Sequence, residues 1–242
     1  MDRAATIARL RAVLAESHTN AGPPRTSAGP GIPTGYPPLD NLITGGGLPR
    51  GALIELSGPI GSGRTALALR IAAKATTSDG IAAWIDLPRE FYPPAAAAAG
   101  VELNRLLGIR PRDREQALSC CDLLLRFGAF PLVVLDLDTT SLPRRGSPGP
   151  RRQWARLHTL VRRSQISLLV VARPRPPADP LRAFADLSLE TTSGRVHIVR
   201  SRKGDVGKSC PLGLLDGDSL GFALHPALPG LGAGAAQTSG RP

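Results

Sequence analysis

Residues 58–65, GPIGSGRT, have the spacing of a phosphate-binding loop, G-x-x-x-x-G-K-[ST], with an arginine in place of the lysine. In such a loop the glycines let backbone N–H groups converge on phosphates at a helix N-terminus, and the lysine reaches the terminal phosphates. The hydroxyl that ends the pattern binds Mg²⁺. The residues predicted to bind a nucleotide are therefore Gly58, Gly61, Gly63, Arg64 and Thr65.

The segments on either side of this loop predict a strand before it and a helix after it. Residues 52–57, ALIELS, form a short apolar run, and residues 64–75 are rich in alanine. A carboxylate fits the same site, because Asp136 follows the apolar run LVVL and would sit at the end of a buried strand. At that place a carboxylate holds magnesium through water.

The rest of the central sequence alternates between apolar runs and helical stretches. This alternation predicts an α/β fold with a mostly parallel central sheet flanked by helices. After Phe184 the pattern indicates a C-terminal β-hairpin that turns at 192–194, and residues 219–225 can close the sheet. The further strands are predicted at 81–86, 131–138 and 166–172, and the helices near 114–127 and 151–165.

Four segments are predicted along the chain. Residues 1–17 form an amphipathic helix whose apolar face must bury against its own domain or against another protein. Residues 18–33 are rich in Pro, Gly and Ser, as in a flexible linker, and residues 34–224 form the core. Residues 225–242 have too little apolar surface to fold alone, so a disordered tail is expected. The apolar face of the first helix contains Ile7, Leu10 and Leu14.

The formal charge of +11 and the pI near 11.0 come mainly from arginine, since the lysines are Lys74, Lys203 and Lys208. Such a surface favours phosphates, and nucleic acid is the polyanion that fits it best. A G+C-rich genome would also produce an arginine-rich composition, so both interpretations stay open. Three cysteines without metal-ligand spacing, and no apolar run long enough for a signal peptide or a membrane span, predict a cytoplasmic protein.

Residues 33–222 resemble the bacterial RecA recombinase family. The resemblance depends on TGYPPLDNLITGGGLPRGALIELSGPIGSGRT, on AAWID and on VHIVRSRKG. It implies a RecA-like core, ATP and Mg²⁺ as ligands, and an N-terminal arm that packs on a neighbouring subunit. Arg200 and Arg202 match a lysine pair that reaches the nucleotide of the neighbour, which implies inter-subunit contacts and a homo-oligomer.

This sequence departs from the family at the positions that carry the chemistry. Pro88 occupies the place of the glutamate that activates the attacking water, and Glu90 would need a re-laid loop to replace it. Arg64 replaces the slim ammonium of lysine by a planar fork. These changes predict weak nucleotide binding at most, with slow or absent hydrolysis. Further departures fall at the adenine-contacting positions, Tyr92 and Ala95, and at Arg173 or its neighbour, where the family has a glutamine that senses the γ-phosphate.

In the family, the loops after the strands that end near 138 and 172 hold single-stranded DNA. Here these loops are basic, and between residues 139 and 182 ten arginines face one acid, Asp179. They contain no aromatic residue, so any binding should be electrostatic and tolerant of sequence. A solvated basic face or a docking patch for an acidic protein is the alternative. The candidate DNA-binding residues are Arg144, Arg145, Arg151, Arg152, Arg173 and Arg175.

Taken together, these features are most like the RecA-related accessory proteins of bacterial inducible-mutagenesis cassettes, the ImuA type. That resemblance implies a role in the SOS DNA-damage response and translesion synthesis, with a Y-family-like polymerase and RecA as partners and single-stranded DNA as a ligand. Two alternatives stay open. One is a slow DNA-dependent ATPase, and the other is a RecA-like inhibitor of cell division.

Overall fold

The computed structural model describes residues 30–77, 80–137, 150–174, 179–192 and 194–213. Several predicted features therefore lie outside the described residues. These are the helix 1–17 with Ile7, Leu10 and Leu14, the closing strand 219–225, the tail 225–242, and the basic residues Arg144, Arg145 and Arg175.

One eight-stranded sheet forms the centre of the described structure, in the order β3-β2-β4-β5-β1-β6-β7-β8. Strands β1 to β6 pair in parallel, whereas β7 and β8 add in antiparallel fashion to β6. The predicted α/β fold with a mostly parallel sheet and a C-terminal hairpin is confirmed. The strands are β1 Leu53–Ser57, β2 Ala82–Asp86, β3 Leu106–Ile109, β4 Leu132–Leu137, β5 Ser167–Ala172, β6 Leu187–Thr192, β7 Arg195–Ser201 and β8 Ser209–Pro211.

Six helices are described, and their ends follow local sequence signals. The helix α4 begins after Asp113, whose Oδ1 accepts a bond from Gln116 N–H at 2.9 Å, and ends at Gly128 with φ 84°. No described helix has the length and apolar character that crossing a bilayer requires. The helices are α1 Pro37–Asp40, α2 Arg64–Thr77, α3 Pro93–Ala98, α4 Arg114–Phe127, α5 Pro150–Ser164 and α6 Pro180–Phe184.

The sheet is buried on both faces, because β1, β2, β4 and β5 are buried along their whole length. On one face α2 packs Leu67 and Ile71 against the strands. On the other face α4 and α5 contribute Leu125 and Trp154 to a second core. The core also reaches back before residue 34, since Ile32 is buried and pairs with Leu48. The strands thereby hold the loops at their two ends in fixed positions.

Candidate functional site

The loop between β1 and α2 has the backbone of a phosphate cradle. Gly61 and Gly63 have φ of 77° and 88°, a region that glycine adopts without strain. A Cβ on Gly58 would lie 2.0 Å from Oγ1 of Thr191, so only glycine fits there. The Ser62 and Thr191 hydroxyls lie 2.7 Å apart and tie the loop to β6. The loop is therefore shaped for phosphate and held in place by the neighbouring strand.

A cavity of about 470 Å³ opens beside this loop at the carboxyl ends of the strands. Gly58 lies beneath the loop, against Thr191, and the other predicted nucleotide-binding residues line the cavity. Tyr92 and Ala95, expected next to an adenine ring, also line it. The structure thus brings the predicted residues together around one space. Those that line it are Gly61, Gly63, Arg64, Thr65 and Asp136.

The side chain of Arg64 is bonded to its own loop. Its Nη1 donates to the carbonyl oxygens of Gly58 at 2.8 Å and Pro59 at 2.9 Å, and the side chain is buried. Its Nε has no hydrogen-bond partner among the described residues. The two N–H groups of Nη1 are thus used within the loop, and a phosphate could bind this guanidinium only through Nε or Nη2. The arginine therefore closes the loop on itself at the position where lysine would reach a ligand.

The loop after β2 turns sharply and brings Glu90 to the cavity. The Asp86 carboxylate accepts bonds from the Glu90 N–H at 2.9 Å, the Phe91 N–H at 3.2 Å and Arg110 Nε at 3.3 Å. Arg89 adopts φ 62° to allow this turn. Glu90 therefore lines the cavity, whereas Pro88 is not among its lining residues and offers no base. The sequence feature that could have indicated this arrangement is Asp86, because its carboxylate can accept hydrogen bonds from the backbone of the loop that follows it.

Apolar and aromatic side chains form the rim of the same cavity. The rings of Trp84 and Phe91 lie 5.2 Å apart at an interplanar angle of 49°, and both residues line the cavity. Ile60 and Tyr92 also line it while exposing 73% and 63% of their surface. An exposed isoleucine at the tip of a phosphate-binding loop adds no hydrogen bond to a nucleotide, whereas it can contact another apolar surface.

The predicted DNA-binding arginines that are described fall into two groups. Arg151 and Arg152 are exposed at the start of α5, and the guanidinium of Arg151 lies 5.9 Å from the centroid of the Phe184 ring. Arg173 instead lines the cavity beside the phosphate-binding loop. The structure therefore places Arg173 with the predicted nucleotide-binding residues and not with Arg151 and Arg152.

The predicted inter-subunit residues Arg200 and Arg202 contact their own chain. Nε of Arg200 donates to the carbonyl oxygen of Ala185 at 2.7 Å, and Nε of Arg202 lies 2.8 Å from Oδ1 of Asp186. Arg202 still exposes 49% of its side chain, so one side of the guanidinium faces solvent. These contacts fix the segment between α6 and β6.

A buried ion pair in the central strand was missed by the sequence analysis. Glu55 in the middle of β1 is fully buried, and its Oε2 lies 3.5 Å from Nε of Arg182 in α6. Neither oxygen of Glu55 has a hydrogen-bond partner among the described residues. The pair ties α6 to the strand that carries the phosphate-binding loop. The available signal was the single carboxylate within the apolar run ALIELS.

A glycine-rich loop between the central strand of a parallel sheet and the following helix defines the P-loop class of α/β proteins. Residues 21–150, more than half of the chain, match the family model of the RecA N-terminal domain, and the chain belongs to the RecA family. The predicted RecA-like fold is thereby confirmed.

Several RecA proteins are similar to this chain over part of its length. Protein RecA of Roseiflexus sp. (strain RS-1) is 45% identical over 113 residues, which are 47% of this chain and 32% of that protein. Protein RecA of Salinispora tropica is 43% identical over the same length. The chain thus matches about a third of the length of these relatives. The crystal structure of the RadB recombinase matches the fold with a TM-score of 0.62 and 21% identity, over 74% of this chain and 94% of that chain.

Proposed function

We propose that this RecA-family protein is an accessory component of the DNA-damage response that binds DNA and proteins and does not work as an efficient ATPase. Among RecA-related proteins, the proposal assigns it to the ImuA type of bacterial inducible-mutagenesis cassettes, with a role in translesion synthesis in the cytoplasm. The observation that carries the proposal is the inward orientation of Arg64, whose Nη1 donates to the carbonyl oxygens of both Gly58 and Pro59.

The site fits part of what ATP and Mg²⁺ require. The glycine backbone suits phosphate oxygens, and Thr65 and Asp136 supply the hydroxyl and the carboxylate that would hold magnesium. The cation at residue 64 is already bonded, and Pro88 provides no base at the family position. Loss of a general base alone lowers a rate by roughly 10²- to 10⁴-fold. We therefore expect weak nucleotide binding and little turnover.

In this proposal the protein would act through surfaces that bind DNA and partner proteins and not through ATP hydrolysis. The proposed contacts with single-stranded DNA are electrostatic, because arginine is the shared feature and no aromatic residue lies in either loop sequence. The helix 1–17, through Ile7, Leu10 and Leu14, would dock on a partner, with a Y-family-like polymerase and RecA as the expected partners. Arg200 and Arg202 would contribute to an oligomer or to a mixed interface. The proposed DNA contacts are Arg144, Arg145, Arg151, Arg152, Arg173 and Arg175.

Phosphate release from ATP, measured with and without single-stranded DNA, tests the catalytic part of this proposal. We expect the wild type to turn over at less than about 1 min⁻¹, far below typical enzymes. Asp136→Asn should not lower that rate further, because the rate would not depend on a seated magnesium ion. A DNA-stimulated rate that Asp136→Asn abolishes would contradict the proposal.

A slow DNA-dependent ATPase is the second candidate, and the position of Glu90 favours it. This carboxylate lines the same cavity as Thr65 and Asp136, so it could serve as a general base for water. In that case Glu90→Gln and Arg64→Ala should each abolish phosphate release. A pull-down from damaged cells separates the remaining possibilities, since recovery of a polymerase or RecA supports the accessory role and recovery of a division protein contradicts it.

A further inference from the structure

A second cavity of about 570 Å³ lies at the amino ends of β1 and β6, at the opposite edge of the sheet from the phosphate-binding loop. We call it the amino-edge cleft and define it by its charged lining residues. Five separate segments meet there, namely Gly31, the stretch before β1, the end of α5, the start of β6 and the turn after β7. The charged residues that line the cleft are the cations Arg50, Arg162, Arg163, Arg202 and Lys203 and the carboxylates Asp186 and Asp205.

Both oxygens of the Asp186 carboxylate are bonded to groups of its own chain. Its Oδ2 accepts a bond from the Leu53 N–H at 2.9 Å. Its Oδ1 lies 2.8 Å from Nε of Arg202, 3.3 Å from Nε2 of His158 and 3.6 Å from Nη1 of Arg162. Asp186 therefore joins the start of β1 to α5 and to the turn after β7, and little of its charge is left for an external cation.

Asp205 is occupied in the same way. Its Oδ1 accepts bonds from the Thr44 hydroxyl and from Lys208 Nζ, both at 2.7 Å, and its Oδ2 accepts from the Thr44 N–H at 3.1 Å. Burial opposes its ionisation, but the bonds from Lys208 and Thr44 outweigh that effect and lower the pKa of Asp205 to about 2. The carboxylate stays ionised at neutral pH and is satisfied within the fold.

Three cations of the cleft have no acidic partner. Arg50, Arg163 and Lys203 are exposed, and in the described part of the chain no carboxylate lies within 4.0 Å of their charged groups. Arg50 and Lys203 donate only to carbonyl oxygens, those of Pro30 at 3.2 Å and Thr44 at 3.3 Å. Like charges that converge on one cavity repel each other, and an anionic ligand removes that repulsion.

We propose that the amino-edge cleft binds the phosphate backbone of nucleic acid. Guanidinium forks match phosphate oxygens in a bidentate manner, and among the described residues no aromatic side chain lines the cleft to stack a base. The ligand class is therefore a nucleic acid held through its backbone without sequence preference. The inference rests on the proposed function only for the ligand class, which is nucleic acid. The residues that it assigns to this ligand lie at the opposite edge of the sheet from the phosphate-binding loop.

The helix α5 leads from the predicted DNA surface to the cleft. Arg152 and Arg163 are exposed and eleven residues apart, about three helical turns, so they lie along one face of the helix. Arg156, between them on the same face, is paired with Asp122 at 2.8 Å. At a rise of 1.5 Å per residue this stripe is about 16 Å long, which spans roughly two or three phosphates of a single strand. The start of α5 and the cleft can thus contact one continuous strand.

The test compares two triple variants that remove the same charge. In the cleft variant, Arg50, Arg163 and Lys203 are replaced by serine. In the control variant, Arg105, Arg112 and Arg126 are replaced by serine. Arg105 lies just before β3, Arg112 just before α4 and Arg126 in α4, and none of them lines the cleft. Fluorescence anisotropy of a labelled single-stranded oligonucleotide gives the affinity between about 50 and 200 mM NaCl.

We expect the cleft variant to bind at least about fivefold more weakly and its salt dependence to flatten by about 2 in log–log slope, since three phosphate contacts are lost. The control should bind as the wild type does. The single change Arg163→Ser removes a side chain without an ion pair among the described residues and gives the same result with a smaller effect, which covers the case that the triple variant does not fold.

Three results would overturn the inference. In the first, the cleft variant binds DNA as tightly as the control, while Arg151→Ser with Arg152→Ser weakens binding; the proposed DNA function then stands without the cleft. In the second, a polyglutamate peptide binds the wild type and loses affinity in the cleft variant while DNA does not, which would identify an acidic protein as the ligand. No DNA binding by the wild type would contradict both the inference and the proposed function.

Discussion

The two ends of β1 both present arginine, but the side chains are used in opposite ways. At the carboxyl end, Arg64 points into its own loop and bonds two carbonyl oxygens. At the amino end, Arg50 and Arg163 are exposed beside an open cleft whose carboxylates are already occupied. The capacity of a cation to bind phosphate therefore depends on which acceptors its own fold places beside it. In this protein that capacity is greater at the amino end.

The buried ion pair Glu55–Arg182 lies between the two ends of β1. Breaking this pair tests whether β1 holds the loops at both of its ends in place. Arg182→Ala leaves the carboxylate of Glu55 without a countercharge in the core, so we expect the free energy of unfolding to fall by about 3–5 kcal/mol. Urea denaturation measures this change. The double variant Glu55→Gln with Arg182→Met should recover much of the stability. If Arg182→Ala unfolds at the wild-type urea concentration, the pair does not support the strand.

The amino end should lose stability in acid through Asp205. Its pKa is lower in the folded protein than the ordinary value of 3.8, so its contribution is present above about pH 4 and is lost as the pH falls toward 2. The contribution corresponds to about 2 kcal/mol. We expect Asp205→Asn to be less stable than the wild type at pH 6 in urea denaturation, with the difference vanishing near pH 2. An equal difference at both pH values would contradict this assignment.

At the carboxyl end of β1, the substitution Arg64→Lys tests whether Arg64 is the reason that phosphate binding is expected to be weaker there than at the amino end. The slim ammonium sits at the end of a flexible four-carbon stem and can extend toward a phosphate, whereas the planar guanidinium of Arg64 is held by its bonds to Gly58 and Pro59. We expect the affinity for MgATP to rise about tenfold, equivalent to about 1.4 kcal/mol, in a calorimetric titration. Arg64→Ala serves as the control and should not show this gain. A lysine variant that binds no more tightly than the wild type would show that the arginine is not what limits binding.

Much of the fold could be predicted because its signals are local. The apolar runs of β1, β2, β4 and β5 and the capped helix α4 appear directly in the sequence. The strand β3 was missed because it is only four residues long, LLGI, and Gly108 interrupts its apolar run. The strand β8 is only three residues long, too short for an alternating pattern to show.

The candidate sites were predictable only in part. The loop glycines, Thr65 and Asp136 follow from spacing, but the position of Glu90 depends on the bonds to Asp86 and on the backbone of Arg89. The inward orientation of Arg64 depends on carbonyl directions that spacing does not encode. The amino-edge cleft collects residues from segments more than a hundred positions apart, so only the assembled sheet reveals it.

Hydrogen–deuterium exchange with two ligands tests the contrast between the ends of β1 most directly. The protein is compared alone, with MgATP at about 100 µM, a typical substrate concentration, and with a saturating single-stranded oligonucleotide. We predict that the oligonucleotide slows exchange at residues 44–52 and 201–205, and that MgATP leaves exchange at residues 58–65 unchanged. Strong protection of residues 58–65 by MgATP, with no protection at the amino-edge cleft by DNA, would contradict the claim that phosphate binds better at the amino end of β1 than at its carboxyl end.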